Sequence, residues 1–181
     1  MTLKYCPKCG KETLVFTDLR KFSCNECSFV LYHNCAAAVA VLITCGDEIL
    51  FTRRNQNPKK GMLDLPGGFC DPKETAENTC KRELYEELKL NIDLNKLRYL
   101  SSQDNIYHYK GIDYNTMDLF FQYELTEKPK LELELDEVSE IIWVNKNDLN
   151  LDNLAFDSQK RFFSEVNKLS EILDKRLTNM S

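Results

Sequence analysis

The stretch from Gly68 to Leu90 constrains this chain more than any other part of the sequence. Asp71 as a cap, Pro72 in the first helical position and Glu74 three residues after the cap together predict a helix start. No residue after that start breaks a helix until the stretch is almost complete. We therefore predict one long helix that begins at Asp71, directly after a Gly-Gly turn.

One side of the predicted helix is apolar, and the edge of that side is acidic. At about 100° per residue, four apolar side chains share an arc of roughly 120°; they are Ala76, Cys80, Leu84 and Leu88. Glu83 and Glu87 lie along the edge of this arc, and Glu86 lies roughly 80° further round. Three carboxylates in this arrangement repel one another without a cation. An oxygen-seeking divalent ion, Mg²⁺ or Mn²⁺, would convert the repulsion into a metal site.

The whole stretch resembles the signature of the Nudix hydrolases. That signature reads Gly, five residues, Glu, seven residues, Arg-Glu, an aliphatic residue, any residue, Glu-Glu, any residue, Gly and an aliphatic residue. This chain matches it at Gly68, Glu74, Arg82, Glu83, Leu84, Glu86, Glu87 and Leu90. Lys89 departs from it, because it stands where the family has a glycine. A glycine after a helix usually adopts the left-handed conformation, which costs another residue about 1 kcal/mol, so we expect an effect on the helix end and not on the chemistry.

The resemblance implies a function and a role for each residue of the signature. It implies an enzyme that cleaves the pyrophosphate bond of a nucleoside diphosphate linked to another moiety. Glu83, Glu86 and Glu87 would hold Mg²⁺ or Mn²⁺ together with the carbonyl of Gly68. Glu83 would also be the general base, and Arg82 would hold its carboxylate in place. Glu74 is expected to be structural.

Two C-x-x-C pairs lie near the start of the chain, and they consist of Cys6, Cys9, Cys24 and Cys27. Their spacing is typical of a closed, tetrahedral, structural zinc site. The segment has too few large apolar residues to fold alone, so zinc would contribute on the order of 10 kcal/mol. A redox dithiol is the alternative, although it needs only one such pair. The pattern resembles the zinc ribbon that precedes the Nudix domain in the NADH pyrophosphatase branch.

We therefore predict two domains, a zinc ribbon at residues 1–34 and a Nudix domain at residues 35–181. His33 and Cys35 lie at the junction, and we interpret both as linker residues. The Nudix resemblance implies an α/β/α sandwich with a mixed sheet, and the chain allows it. Strands or hairpins are predicted at Ala36–Thr44, Glu48–Arg53, Lys96–Ser102, Ile106–Tyr114, Met117–Leu125 and Ile141–Val144. A strand or loop is predicted at Leu131–Asp136, and a closing amphipathic helix at Phe162–Leu177.

Composition and charge limit the partners. The net charge of −5 argues against general nucleic-acid binding, which needs a basic face. No apolar run approaches the roughly 20 residues of a membrane helix. Eight cysteines without a visible signal peptide indicate thiols and metal, so we expect a cytoplasmic protein. The expected partner is a small nucleotide, and the resemblance allows a homodimer because many relatives are dimers.

Four residues outside the signature are candidates for substrate binding. Arg53 and Arg54 end a strand after which Nudix domains often carry an arginine that contacts phosphate. Tyr107 and Tyr109 offer flat faces for stacking on a base, while cross-strand packing would explain them equally well.

The segment Ser139–Trp143 resembles the Glu-x-x-Trp stretch of the NADH pyrophosphatase branch. Glu140 is therefore predicted to be an additional metal ligand, with Glu137 as the alternative. That branch also carries a Ser-Gln-Pro-Trp-Pro-Phe-Pro signature, of which only Ser102 and Gln103 are present here. We expect cleavage of an ADP-containing dinucleotide or ADP-sugar, with FAD or ADP-ribose preferred over NADH. The alternatives are a nucleoside triphosphate pyrophosphatase and a non-catalytic, ligand-sensing Nudix module.

Overall fold

The N-terminal part of the molecule is a small antiparallel sheet. The structure, a computed structural model, describes residues 3–18 and 20–165 of the chain. The first three strands pair in the order β1-β2-β3; they are β1 (Leu14–Thr17), β2 (Lys21–Cys24) and β3 (Val30–Tyr32). Leu14 and Phe22 form its small apolar core together with two of the paired cysteines.

The following strands form a separate, mixed sheet of six strands. They are β4 (Ala36–Cys45), β5 (Glu48–Arg54), β6 (Leu63–Asp64), β7 (Arg98–Tyr109), β8 (Ile112–Leu125) and β9 (Val138–Asn145). The order is β6-β5-β4-β8-β7, and β9 also pairs with β5. Only β4 and β8 run parallel among these pairs in the described part of the chain. The predicted strands are confirmed, but β7 and β8 are longer than predicted because the Ile106–Tyr114 hairpin continues both of them.

Helices cover both faces of this sheet in the part that the structure describes. The helix α1 (Ala76–Leu88) buries Leu84 and Leu88 against alternate residues of β4 and β5. A second helix, α2, covers residues 157–165 and packs Phe162 on Phe120 with ring centroids 4.3 Å apart. Two short 3-10 turns, Leu94–Lys96 and Leu151–Asn153, lie between the larger elements. The expected α/β/α sandwich is confirmed.

A gap between β4 and β5 positions the glycine turn. The two strands pair only next to their hairpin, and the segment after β6 lies along β4 instead. Val41 N donates to Pro66 O at 2.9 Å, and Val39 N donates to Gly68 O at 2.8 Å. Gly67 has φ of +147°, and a Cβ there would lie 2.1 Å from Val39 O. Only glycine fits this close approach, which brings the turn beside α1.

The predicted start of α1 at Asp71 is wrong. The N-cap is Thr75, whose side chain accepts a hydrogen bond from Asn78 N at 3.3 Å. Lys73 has φ of +72°, which a helix does not allow, so the residues from Asp71 onward form a turn. This turn brings Glu74 to the side of α1, where it contacts Arg82.

The end of α1 confirms the expected effect of the missing glycine. Lys89 adopts the left-handed conformation, with φ of 53° and ψ of 27°. Its N–H and that of Leu90 donate to carbonyls of the last helical turn, including Leu84 O. The chain therefore uses the glycine-type cap and places a lysine in it, with strain of about 1 kcal/mol.

We expect Lys89→Gly to raise the free energy of unfolding by roughly 0.5–1 kcal/mol, because glycine adopts this conformation without strain. The gain is limited by the loss of Lys89 Nζ from the Tyr85 ring, which lies 5.2 Å away. The matched control is Lys81→Gly on the exposed surface of the same helix, which should destabilise by a similar amount. Urea denaturation measures both, and equal destabilisation by the two glycines would contradict the prediction.

Two further predictions concern the second half of the chain. Residues 131–136 form a loop and not a strand, because N–H groups of this segment donate hydrogen bonds to carbonyl groups at the end of α1. Glu132 N donates to Leu88 O at 3.2 Å, and Glu134 N donates to Glu87 O at 3.0 Å. The first part of the predicted closing helix, including Phe162, is helical. Its remaining apolar positions, Val166, Leu169, Leu173 and Leu177, lie outside the described residues.

Candidate active site

Two carboxylates of α1 are buried against the glycine turn. Glu83 and Glu87 are each only 8% exposed. Gly67 N donates to Glu87 Oε2 at 3.2 Å. A Cβ at Gly68 would lie 2.5 Å from Glu83 Oε1, so a larger residue would displace that carboxylate. Glu86 is exposed, as its helical position predicts.

Arg82 connects the carboxylates on this side of the helix. Its Nη1 donates to Glu83 Oε1 at 2.8 Å and to Glu86 Oε2 at 2.9 Å. Its Nη2 donates to Glu74 Oε2 at 3.0 Å and to Phe69 O at 3.0 Å. The guanidinium is thus held on several sides and contacts the Glu83 carboxylate, while its role in orienting a catalytic Glu83 stays a prediction.

Glu74 supports Arg82 from the turn before the helix. Besides Arg82, it accepts hydrogen bonds from Thr79 Oγ1 at 2.8 Å and from Asp71 N at 3.2 Å. These donors, with Arg82 as the largest contribution, lower the pKa of Glu74 to about 2. A carboxylate with this many internal donors has little capacity left for a metal, which agrees with the structural role expected for it.

Glu87 carries the least compensated charge of the site. Burial raises the pKa of its carboxyl well above the usual range, and the nearby charges of Asp64 and Glu83 raise it further. Arg82 pairs with Glu83 and Glu86, but no ion pair reaches Glu87 within residues 3–18 and 20–165. A buried carboxylate without a cation is costly, so this position favours a bound positive charge.

A cavity of about 360 Å³ opens beside these carboxylates. Aromatic rings form part of its wall: the Tyr107 ring lies 5.3 Å from Phe69 and 5.7 Å from Phe156, measured between centroids. Tyr109 lies 6.3 Å from Tyr107 and is 40% exposed. Tyr107 therefore lines the cavity, whereas Tyr109 lies next to it on the surface.

Arg54 is fixed at the wall of the same cavity. Its Nη1 lies 2.6 Å from Asp64 Oδ2, and its Nε donates to Pro58 O at 2.9 Å. The guanidinium also lies 5.0 Å above the Phe156 ring. Gln159 Nε2 donates to the other oxygen of Asp64. Burial raises the pKa of Asp64, and the charge of Arg54 acts in the opposite direction.

Arg53 and Glu140 lie outside the set of residues around the cavity. They face each other across β5 and β9, and Arg53 Nε donates to Glu140 Oε2 at 2.8 Å. Both are part of the exposed surface, and neither lines the cavity. Glu137 does line the cavity, and its charge contributes to the raised pKa of Glu83 and Glu87. The geometry thus favours Glu137 over Glu140 as a further ligand, and both assignments stay predictions.

The four paired cysteines form a cluster in the N-terminal sheet. The sulfurs of Cys6, Cys9, Cys24 and Cys27 all lie within 4.8 Å of one another. Four sulfurs bound tetrahedrally at about 2.3 Å lie roughly 3.8 Å apart. The Cys6–Cys27 and Cys9–Cys24 sulfur distances are 3.7 Å and 3.8 Å. The cluster fits zinc, and His33 is not part of it, because its ring packs on Phe16 and Phe22. The linker interpretation of His33 stays a prediction.

Sequence analysis missed several residues that line the cavity, among them Asp64, Asp118, Phe156 and Gln159. Asp64 directly precedes the Leu-Pro-Gly-Gly turn, and Asp118 interrupts an apolar run. Each is a charged residue between two apolar neighbours in the sequence, and this pattern was the available signal. Strand alternation places Asp118 on the same face of β8 as the fully buried Phe120, and that face packs against α2.

The fold and the site define a class of protein, an α/β sandwich with an acidic helix beside a cavity of nucleotide size. Comparison with known protein families identifies the family to which the chain belongs. The sequence pattern of the NUDIX domain matches residues 34–166, so the chain belongs to the NUDIX family. Among the described residues, no helix is long and apolar enough to span a membrane.

Individual relatives extend the comparison. The NAD-capped RNA hydrolase NudC of Pseudomonas syringae pv. tomato is 33% identical over 102 residues, which cover 55% of this chain and 35% of that protein. The chain thus matches only about a third of that relative's length.

Two solved structures share the fold. A bifunctional NMN adenylyltransferase/ADP ribose pyrophosphatase from Francisella tularensis, complexed with AMP and Mn ion, has a TM-score of 0.58 at 22% identity and covers 76% of this chain and 42% of that chain. The NUDIX domain of Shewanella oneidensis NrtR, complexed with ADP ribose, has a TM-score of 0.61 at 20% identity and covers 76% of this chain and 90% of that chain.

Proposed function

We propose that this chain is a Nudix hydrolase that depends on Mg²⁺ or Mn²⁺ and cleaves the pyrophosphate bond of an ADP-containing dinucleotide or ADP-sugar. The observation that carries the proposal is that the buried Glu83 and Glu87 line the same cavity as Arg54. An anionic substrate enters next to these carboxylates only when a cation compensates their charge. The site therefore matches the two requirements of pyrophosphate cleavage, a metal and a phosphate contact.

The residues present fit such a metal. Mg²⁺ and Mn²⁺ take hard oxygen ligands, which Glu83 and Glu87 supply at the cavity. Glu86 lies outside the cavity lining and contacts Arg82, so its carboxylate would have to turn toward the metal. Gly68 O accepts one hydrogen bond, from Val39 N, so one of its two lone pairs is left for a metal. When bound, such an ion neutralises phosphate charge and makes a bound water more acidic.

The protein side chains would orient the reaction. We propose Glu83 as the general base, because it lies at the cavity and Arg82 fixes one of its oxygens. Arg82 is in turn fixed by Glu74, so a change in either residue would move the base. Glu137 is proposed as the additional ligand in preference to Glu140, since only Glu137 lines the cavity.

Two cavity residues would hold the nucleotide. Arg54 uses two of its five N–H donors on Asp64 and Pro58, so others are available for a phosphate. Tyr107 would stack on a base, an interaction worth about 1 kcal/mol. The names of the relatives, NAD-capped RNA hydrolase and ADP ribose pyrophosphatase, support a substrate of this type.

A hydrolysis screen tests the proposal. With Mg²⁺ or Mn²⁺, we expect AMP to be released from ADP-ribose or FAD with kcat/KM roughly 10-fold above that for NADH, a difference of about 1.4 kcal/mol in barrier. The reason is that the prolines and the tryptophan of the NADH-type signature are absent here, so the surface that would recognise the nicotinamide half differs. Gln103, one of the two residues kept, donates to Glu165 of α2 at 2.8 Å.

The panel should also contain NAD, dinucleoside polyphosphates and nucleoside triphosphates. Hydrolysis of triphosphates alone, to monophosphate and pyrophosphate, would support the alternative pyrophosphatase and contradict the substrate class. Binding of ADP-ribose without any turnover would support the ligand-sensing alternative. NADH as the preferred substrate would contradict the expected order.

A further inference from the structure

A carboxylate outside the α1 site is held rigidly at the wall of the cavity. Thr116 Oγ1 donates to Asp118 Oδ1 at 2.7 Å, and Ser158 Oγ donates to Asp118 Oδ2 at 2.6 Å. Thr116 is 4% exposed and Ser158 is fully buried, so both donors are fixed by the packing of α2 on the sheet. The two bonds hold both oxygens of Asp118 in one orientation.

Asp118 has no cationic partner of its own. Within the described residues, no lysine, arginine or histidine forms an ion pair with it. The two arginines that line the cavity are engaged elsewhere, Arg54 with Asp64 and Arg82 with the carboxylates of α1. Burial raises the pKa of Asp64, and the negative charge of Asp118 raises it further. A group that binds beside Asp118 must therefore carry positive charge or donate hydrogen bonds.

An ionised carboxylate accepts about four hydrogen bonds and donates none. The two hydroxyls occupy two of these acceptor sites, which leaves about two for a ligand. A phosphate would be repelled there, because it is anionic and offers only acceptors. In a substrate with a phosphate bridge and a base, the base is the part that offers hydrogen-bond donors, so Asp118 suits the base and not the bridge.

We infer that Asp118 selects the nucleobase by accepting a hydrogen bond from the exocyclic amino group of adenine. The inference rests on the proposed function, because it assigns the base end of the substrate proposed above. Tyr107, which lines the same cavity, offers a ring face for that base. Asp118 is thus a specificity-determining residue, while the reaction itself takes place at α1.

Equilibrium binding to the zinc-loaded full chain tests this inference without turnover. The probes are AMP and purine riboside 5′-monophosphate, which has hydrogen in place of the amino group, titrated by calorimetry. We expect the wild type to bind AMP about 10- to 100-fold more tightly, the range for a hydrogen bond to a charged group. Asp118→Asn, which keeps the shape and a neutral acceptor, should lower the ratio to a few-fold, and Asp118→Ala should bring it close to one.

The matched control is Glu124→Gln, which removes an exposed carboxylate from the same strand. It should keep the wild-type ratio. A purely structural role of Asp118 would weaken both nucleotides by the same factor and leave the ratio unchanged, which would overturn the inference. Absence of AMP binding by the wild type would also overturn it. Selective AMP binding without cleavage of any pyrophosphate substrate would instead refute the proposed function and keep the inference.

Discussion

Replacing Glu87 by glutamine is expected to lower kcat at least ~100-fold at saturating Mg²⁺, which corresponds to roughly 2.7 kcal/mol of barrier. Glutamine keeps the size and the oxygen that accepts from Gly67 N, but it removes the charge that a metal requires. Steady-state kinetics on the best substrate of the screen measures the loss. Near-normal turnover at saturating metal would contradict the assignment of this site.

The same variant should be more stable than the wild type in the absence of metal. Burial raises the pKa of Glu87 in the folded state, so the folded protein holds a proton that the unfolded chain releases. Stability is then lost as pH rises above the unfolded pKa of about 4.3, and Glu87→Gln removes this loss. We expect a higher Tm for the variant at pH 7 than for the wild type, and a smaller rise in Tm when Mg²⁺ is added.

A control variant separates charge removal in general from charge removal in the site. Glu77→Gln removes an exposed carboxylate from the first turn of the same helix. It should leave kcat, Tm and the effect of Mg²⁺ on Tm close to those of the wild type. An equal loss of kcat in both variants would indicate that the net charge of the helix, and not a ligand, is responsible.

Replacing Cys9 by serine is expected to unfold the N-terminal sheet. Its core contains only a few large apolar side chains, Leu14, Phe22 and Phe29. Such a core does not compensate for the loss of a zinc site worth on the order of 10 kcal/mol. Metal analysis should show the loss of bound zinc, and limited proteolysis should show cleavage within residues 3–34.

Cys35→Ser is the matched control, because Cys35 is an exposed cysteine just beyond the cluster. It should keep its zinc and its resistance to proteolysis. Wild-type protein purified without chelator and found to contain no zinc would contradict the assignment of the cluster. Loss of zinc in both variants would show that Cys35 is a ligand and that the linker interpretation is wrong.

The sequence alone was sufficient wherever structure follows from local spacing. Helical periodicity predicted which glutamates of α1 are buried, Glu83 and Glu87, and which is exposed, Glu86. The spacing of the two C-x-x-C pairs predicted four sulfurs close enough for one metal. The left-handed Lys89 followed from a glycine position in the family signature. Each of these features depends on residues no more than 21 positions apart.

The tertiary structure decided what distant segments bring together. Arg54, Asp64 and Gln159 meet because β5, β6 and α2 are neighbours in the fold. The register of β5 on β9 places Arg53 opposite Glu140, which separates both from the cavity. Apolar periodicity shows which face of a strand is buried, but it does not encode strand order or register. The set of residues that surrounds the cavity is therefore fixed only when the sheet and the helices are packed.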